Sequence, residues 1–250
     1  MELDYATLIS PFPLYLKNIG HIVSATLRNI WNPDVTYEKF KFYLSLLTIT
    51  PQIYYDKSNL VEQEWYDSLT DAEKASTTMI DFIKKIPVLQ EYYCEVFNFF
   101  LEEEIVWNNH YSAFLSYKGE EIVGVISAEI YDELCDVILQ RCNIKRKQTS
   151  EKVRFKNKLA QEIWELTHKS VSEKQDKNIE LPNIISSVSA KSESLNMINI
   201  WELTVYQLYD QFHRLLGNAI YEIAAMRVAA WGDEGSNFDD SSWYQSIYDT

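Results

Sequence analysis

The sequence predicts an α+β fold that is mainly helical, with small β elements near its start and in its middle. Gly and Pro contribute only six residues each to the 250, which favours long helices with few tight turns. Apolar residues recur at steps of three and four through several long stretches, as in amphipathic helices. Two shorter stretches instead combine β-compatible residues with turn residues. We therefore expect an N-terminal hairpin and a mid-chain hairpin or short meander inside a helix-rich chain.

The N-terminal hairpin is predicted from two β-compatible segments, residues 13–17 and 21–27. Asn18 and Gly20 lie between them and supply the backbone freedom that a tight turn needs. A small antiparallel hairpin follows from this arrangement.

Several helices should follow the hairpin, and their ends carry local signals. Thr36 or Asp34 is suited to cap the first of them. Thr70 stands three residues before Glu73, the spacing of a capping box, and Pro87 interrupts the helix that this box begins. The predicted helices span residues 37–47, 60–69, 70–86, 87–101 and 127–142.

The mid-chain β element is predicted between two of these helices. Short strand-like runs occupy residues 105–107, 113–117 and 121–125. Lys118-Gly119-Glu120 joins the second run to the third as a turn. A hairpin or a three-stranded meander is expected here.

The C-terminal region shows the longest amphipathic pattern, within residues 194–216. Gly217 follows it, and we expect a helix break over residues 216–218 and a second helix over 218–231, so that the two form an antiparallel pair. The apolar positions of the first helix advance by three or four residues: Ile198, Trp201, Val205, Leu208, Phe212 and Leu215.

These patterns divide the chain into four parts. Residues 169–178 contain a single apolar residue, Val171, which makes this polar segment the best linker. The predicted parts are a helix-rich N-terminal domain with small β elements (1–168), a polar linker (169–180), a C-terminal helical hairpin region (181–231) and an acidic aromatic tail (232–250).

Charge argues against nucleic acid as a partner. The formal net charge is −14, whereas binding of phosphates requires a basic field. Residues 141–158 are an exception, with eight basic side chains against one acid. This asymmetry permits head-to-tail self-association or docking on an acidic partner, although a solvated surface explains it more simply.

The residues predict neither membrane insertion nor export. No apolar run approaches the roughly 20 residues that span a bilayer. The N-terminus lacks a basic region followed by an apolar run, so we expect a protein that is not exported. Cys94, Cys135 and Cys142 form no CxxC pair, which suits a reducing compartment.

No motif for catalysis, a metal or a cofactor was found. The nucleophile and phosphate-loop patterns GxSxG, GxxxxGK[ST] and GxGxxG are missing from the sequence. The histidines, at 21, 110, 168 and 213, are too scattered to form a local metal motif. Three consecutive acids at 102–104 are expected to be solvated. We therefore predict a protein that is not an enzyme, with an enzyme of dispersed catalytic residues as the weakest alternative.

A resemblance to a known family enters with five short segments. They resemble a protein that recurs in the tail region of tailed bacteriophages of Gram-positive bacteria. The segments are 43–47 (YLSLL), 114–119 (FLSYKG), 181–191 (LPNIISSVSAK), 199–212 (NIWELTVYQLYDQF) and 224–232 (AAMRVAAWG).

An acidic, helix-rich chain of this plan is also similar to phage tail assembly chaperones, which hold the apolar helices of the tape measure protein. The resemblance implies a protein partner, either the tape measure or tail subunits, with homo-oligomers as a further option. It implies activity in the host cytoplasm during assembly, or, if the chain is a structural tail or baseplate protein, a place in the virion tail. The partner-binding residues expected on this basis are Trp201, Tyr206, Leu208, Tyr209, Phe212 and Trp231.

Overall fold

The computed structural model describes residues 1–51, 62–144, 180–233 and 238–244. It is an α+β, helix-rich structure, 54% helical and 13% strand, with two small antiparallel sheets. This confirms the predicted fold class. The chain divides into two compact units, Met1–Arg146 and Lys147–Thr250. The predicted linker and most of the basic stretch lie outside the described residues.

The first unit contains both sheets and seven helices among its described residues. Its strands are β1 (Leu14–Leu16), β2 (Gly20–Ile22), β3 (Glu104–Asn108), β4 (Ala113–Lys118) and β5 (Glu121–Ile126). Its helices are α1 (Tyr5–Ile9), α2 (Tyr37–Thr48), α3 (Glu62–Asp67), α4 (Asp71–Ser76), α5 (Met79–Lys85), α6 (Pro87–Phe100) and α7 (Ala128–Arg141).

The N-terminal hairpin forms where it was predicted. β1 and β2 are antiparallel, with Leu14 opposite Ile22, and Asn18 takes a φ of 65° in the turn. Its second strand is shorter than the predicted segment and ends at Ile22. The next backbone N–H, that of Val23, donates to Phe100 O at the end of α6. The hairpin is thereby attached to the rest of the unit.

The helix predicted over residues 70–86 is wrong in one respect, because it is two helices. Thr70 and Glu73 form the expected capping box at the start of α4. The chain then breaks at Thr77 and Thr78. Both the backbone N–H and the hydroxyl of Thr78 donate to Asp81 Oδ2 at 2.8 Å, which satisfies the first turn of α5. This second cap favours a new helix over continuation of the first.

The mid-chain element is a three-stranded meander in the order β3-β4-β5. Gly119 supplies its turn with a φ of 66°. Asn98 of α6 covers the edge of β3, because its amide accepts from the backbone N–H of Ile105 at 2.8 Å and donates to Ile105 O at 2.9 Å. One edge of the sheet is thus closed by a side chain.

The core of the first unit is aromatic. Tyr93 and Phe97 of α6 contact Tyr131 of α7, and Phe97 meets Phe114 of β4 edge to face at 5.1 Å. All four side chains are buried. The Tyr93 hydroxyl donates to Leu46 O of α2 at 2.8 Å, which links a third helix to this cluster. Most of the chain's many aromatics in this unit therefore serve packing.

Among its described residues, the second unit has two α-helices, α8 (Leu181–Lys191) and α9 (Val205–Trp231), with a short 3-10 turn at Ile200–Glu202. Here the predicted helical pair is wrong. The pattern within residues 194–216 does not form a helix from its start. α9 begins after Thr204, which caps it together with Gln207. It then runs through Gly217 without a break. α8 packs against α9 instead of the two halves of the amphipathic pattern packing on each other.

Gly124 provides a test of the contact between the sheet and the hairpin turn. A Cβ at this position would lie 2.6 Å from Asn18 O and 2.7 Å from Ile19 O, which are backbone atoms. The Val125 N–H also donates to Asn18 O at 2.8 Å. We expect Gly124→Ala to lower the free energy of unfolding by about 1–3 kcal/mol, as overpacking does. An unchanged thermal midpoint would contradict this contact.

Gly217 provides the opposite test. It lies inside a continuous helix, and a Cβ there meets no atom within 4 Å. Because Gly in a helix costs roughly 0.5–1 kcal/mol relative to Ala, Gly217→Ala should stabilise the second unit by about that amount. The measurement is chemical denaturation followed by circular dichroism. Destabilisation would instead indicate a helix break at residue 217.

Candidate functional site

The candidate site is a helix face in the second unit that, among the described residues, a neighbouring helix covers along only part of its length. α8 has 11 residues and α9 has 27. At 1.5 Å per residue these helices are about 16 Å and about 40 Å long. Because α8 is less than half as long as α9, it cannot cover the whole of α9. Much of α9 therefore has no contact with α8.

The covered part of α9 lies at its N-terminal end. Val205, Tyr206 and Leu208 are buried there. α8 contributes a matching apolar stripe made of Leu181, Ile184, Ile185 and Val188, all buried. Burying an aliphatic side chain of this size contributes about 1.5–3 kcal/mol, so this pairing accounts for much of the unit's core.

The end of α8 reaches the middle of α9. Val188 and Lys191 line a cavity of about 120 Å³ together with Phe212, Leu215 and Leu216. This cavity marks where the cover becomes thin, because α8 ends at Lys191.

Beyond that point the apolar pattern of α9 continues into solvent. We call Leu216, Ile220, Ile223 and Met226 the α9 stripe. Their exposed fractions are 54%, 61%, 65% and 64%. They follow one another at steps of four, three and three, so they lie on one side of the helix. An exposed contiguous apolar surface on a helix is typical of a binding surface.

A second feature borders the stripe. Phe238 of the tail lies against Tyr221 of α9, with ring centroids 5.5 Å apart. Between the tail residues 238–242 and α9 there is an open groove of about 460 Å³, which Ile220 of the stripe also lines. Arg227 and Asp239 contribute opposite charges to the same groove.

The structure places the predicted partner-binding residues in three groups. Tyr206 and Leu208 are buried in the second unit, 3% and 0% exposed, so they do not lie on an exposed face. Trp201, Tyr209 and Phe212 are half-buried, and the Trp201 indole N–H donates to Met197 O at 2.8 Å. Trp231 is 79% exposed at the end of α9. Of the predicted set, it is the residue that extends the exposed face.

The α9 stripe was not predicted from the sequence. Its residues fall in the predicted helix break at 216–218 and in the predicted second helix at 218–231. A sequence signal did exist: the apolar steps at Phe212, Leu216, Ile220 and Ile223 continue the earlier pattern across Gly217. A single Gly does not end a helix whose periodicity persists on both sides.

Among its described residues, the first unit has one buried acid, Glu103. The expectation that the acids at 102–104 are solvated is therefore wrong for this residue. The backbone N–H of His21 donates to its Oε2 at 2.8 Å, and His21 Nδ1 lies 2.7 Å from its Oε1. Because an ionised carboxylate only accepts, Nδ1 carries the proton. Gly20 leaves room for this carboxylate, since a Cβ there would overlap it.

The His21–Glu103 pair joins the hairpin to the start of β3. Burial tends to raise the pKa of Glu103, but the hydrogen bonds from His21 outweigh it, and the pKa lies below its ordinary value of 4.5. Within the described residues, no group of three or more His, Cys, Asp or Glu side chains is placed to hold a metal ion.

Of the three cysteines, Cys94 is half-buried and the other two are buried. Cys135 and Cys142 lie in the core around α7. Burial raises the pKa of the Cys142 thiol to about 12, which keeps it protonated and unreactive.

No helix in the described part of the chain has the length and apolar character needed to cross a bilayer.

Comparison with known proteins bears on the second unit. Residues 173–248 match the family model described as YomV second domain. This family is phage-derived, of the Bacillus phage type. The match therefore fits a phage protein. The match covers α8, α9 and the tail segment, and thus the whole of the α9 stripe. No curated protein and no solved structure matches the chain.

Glu103 provides a pH test. Because its pKa is lowered in the folded protein, its contribution to stability is present above the unfolded value and is lost as the pH falls through the folded pKa. Glu103→Gln should therefore lower the thermal midpoint at neutral pH and reduce its fall below about pH 4.5. Thermal unfolding of both proteins between neutral and acidic pH measures this. Parallel curves would exclude the role assigned to Glu103.

Proposed function

We propose that this chain is a non-enzymatic, chaperone-like phage protein that binds apolar helices of a tape measure protein during tail morphogenesis. The observation that carries the proposal is the α9 stripe, four apolar side chains at helical spacing, each more than half exposed. An amphipathic helix of a partner buries such a stripe by packing along it, with anchors at steps of three and four residues. The phage-type family match to the same residues supports the assignment.

Charge supports the same function. The chain carries a formal net charge of −14, which keeps a complex with a long apolar client from aggregating. The stripe is small, so binding through it alone has modest affinity. Modest affinity is what a chaperone needs if tube subunits are to replace it on the client.

The proposal is tested with variants of the stripe. Replacing Ile220 and Ile223 together with Ser should leave the fold intact, because both side chains already face solvent. The variant should no longer keep a coexpressed tape measure protein in the soluble fraction, since it loses apolar anchors. The measurement is the soluble fraction of the client after coexpression, with circular dichroism of the variant alone.

Ile198→Ser is the matched control. It makes the same replacement at a position that is 84% exposed but lies outside α9. It should keep the client soluble. Equal loss with Ile198→Ser, or full client solubility with the Ile220 and Ile223 variant, would reject the stripe as the binding surface.

Mass spectrometry of infected-cell lysate and of purified particles separates this function from its main alternative. A chaperone is found in the lysate and is missing from mature particles. Stoichiometric presence in particles would instead identify a structural protein of the tail or baseplate.

A further inference from the structure

The α9 stripe also has the spacing that pairs helices of identical chains. Two helices pack side by side when apolar residues alternate at steps of three and four, which keeps one seam facing the partner. Leu216, Ile220 and Ile223 satisfy this pattern. Two small residues, Gly217 and Ala224, lie on the neighbouring side of α9, where they line the groove along the tail.

Charge on this part of α9 differs from that of the whole chain. Residues 216–231 contain one acid, Glu222, and one base, Arg227, so their formal net charge is zero. The full chain carries −14. Two copies that meet through this segment therefore bring together only one acid and one base per copy and keep their acidic regions in solvent, where salt screens the repulsion between them.

The area of the stripe is sufficient for a pair. Four side chains that are more than half exposed, with Trp231 79% exposed at the end of the same helix, form the apolar part of the surface. Burying these side chains and their neighbours removes on the order of 500 Å² per copy from water, or about 1,000 Å² in a pair, which is the lower bound for a specific interface. An interface of this size is reversible.

We infer that the α9 stripe packs against the α9 stripe of a second copy, so that the free protein is a reversible dimer. This inference goes beyond the proposed function and holds whether or not a client exists. Where the proposed function also holds, a client helix and the second copy compete for the same side chains, and dimerisation shields the stripe until a client is present.

Analytical ultracentrifugation of the full chain over a wide range of concentration is the direct test. The expected result is a monomer–dimer equilibrium. Ile223→Glu should raise the dimer Kd by on the order of 100-fold, because each pair would bury two unpaired charges. Ile198→Glu is the control, since it adds the same charge at a more exposed isoleucine outside α9, and it should leave the Kd within about threefold.

A second variant tests the inference through a gain of affinity instead of a loss. Arg227 lies one turn beyond Ile223 on the same side of α9 and is exposed. Arg227→Leu extends the apolar seam by one position and should lower the dimer Kd by about tenfold. Circular dichroism of each variant confirms that α9 is formed.

The outcomes separate the two proposals. A wild-type chain that stays monomeric at every concentration overturns the dimer, and so does dissociation of the dimer by Ile198→Glu to the same extent as by Ile223→Glu. Neither result affects the client test. A dimer that behaves as expected, together with a client whose solubility is independent of Ile220 and Ile223, supports the dimer and rejects the proposed function.

Discussion

One constraint shapes the second unit: the difference in length between two helices that pack together. α8 has 11 residues and buries its apolar side against the start of α9, which has 27. Apolar periodicity continues along α9 after its cover ends. Leu216, Ile220, Ile223 and Met226 consequently face solvent although they extend the same side of the helix that is buried at Val205. A short helix on a long one thus produces both a buried side and an exposed apolar side from a single sequence pattern.

The first unit depends instead on buried polar contacts between segments that are far apart in sequence. The Arg141 guanidinium is 2% exposed, and burial lowers its pKa. It donates to Ser24 Oγ at 2.6 Å and to the carbonyls of Ser10 and Phe12 at 3.0 and 2.7 Å, which draws the N-terminal segment onto the end of α7. Glu103 does the same for the hairpin through His21. Both contacts join segments that are far apart in sequence, so each specifies a tertiary arrangement that apolar packing alone leaves open.

These two kinds of structure suit different roles. In the first unit, aromatic side chains pack against one another in the cluster around Tyr93, Phe97 and Tyr131. The second unit leaves aliphatic side chains exposed on a helix that has no net charge over residues 216–231. A protein that holds apolar helices during assembly requires a surface of this kind, whereas an enzyme requires converging reactive groups. The same surface also explains how the free protein could shield its apolar residues by dimerisation, since identical stripes are complementary to each other.

The sequence by itself determined the local features: the helix-rich α+β class, the turn at Asn18, the meander around Gly119, and the caps at Thr36 and Thr70. These depend on a few neighbouring residues, so short patterns suffice to predict them. The break at Thr78 and the continuity of α9 through Gly217 also follow from local signals, the Thr78–Asp81 cap and the apolar steps across Gly217. Only the tertiary structure decided the burial of Glu103 and Arg141, because each burial follows from which distant segment lies nearby. For the α9 stripe the same reason applies: periodicity predicts an apolar side of a helix, but only the length and position of α8 decide where that side is covered and where it meets solvent.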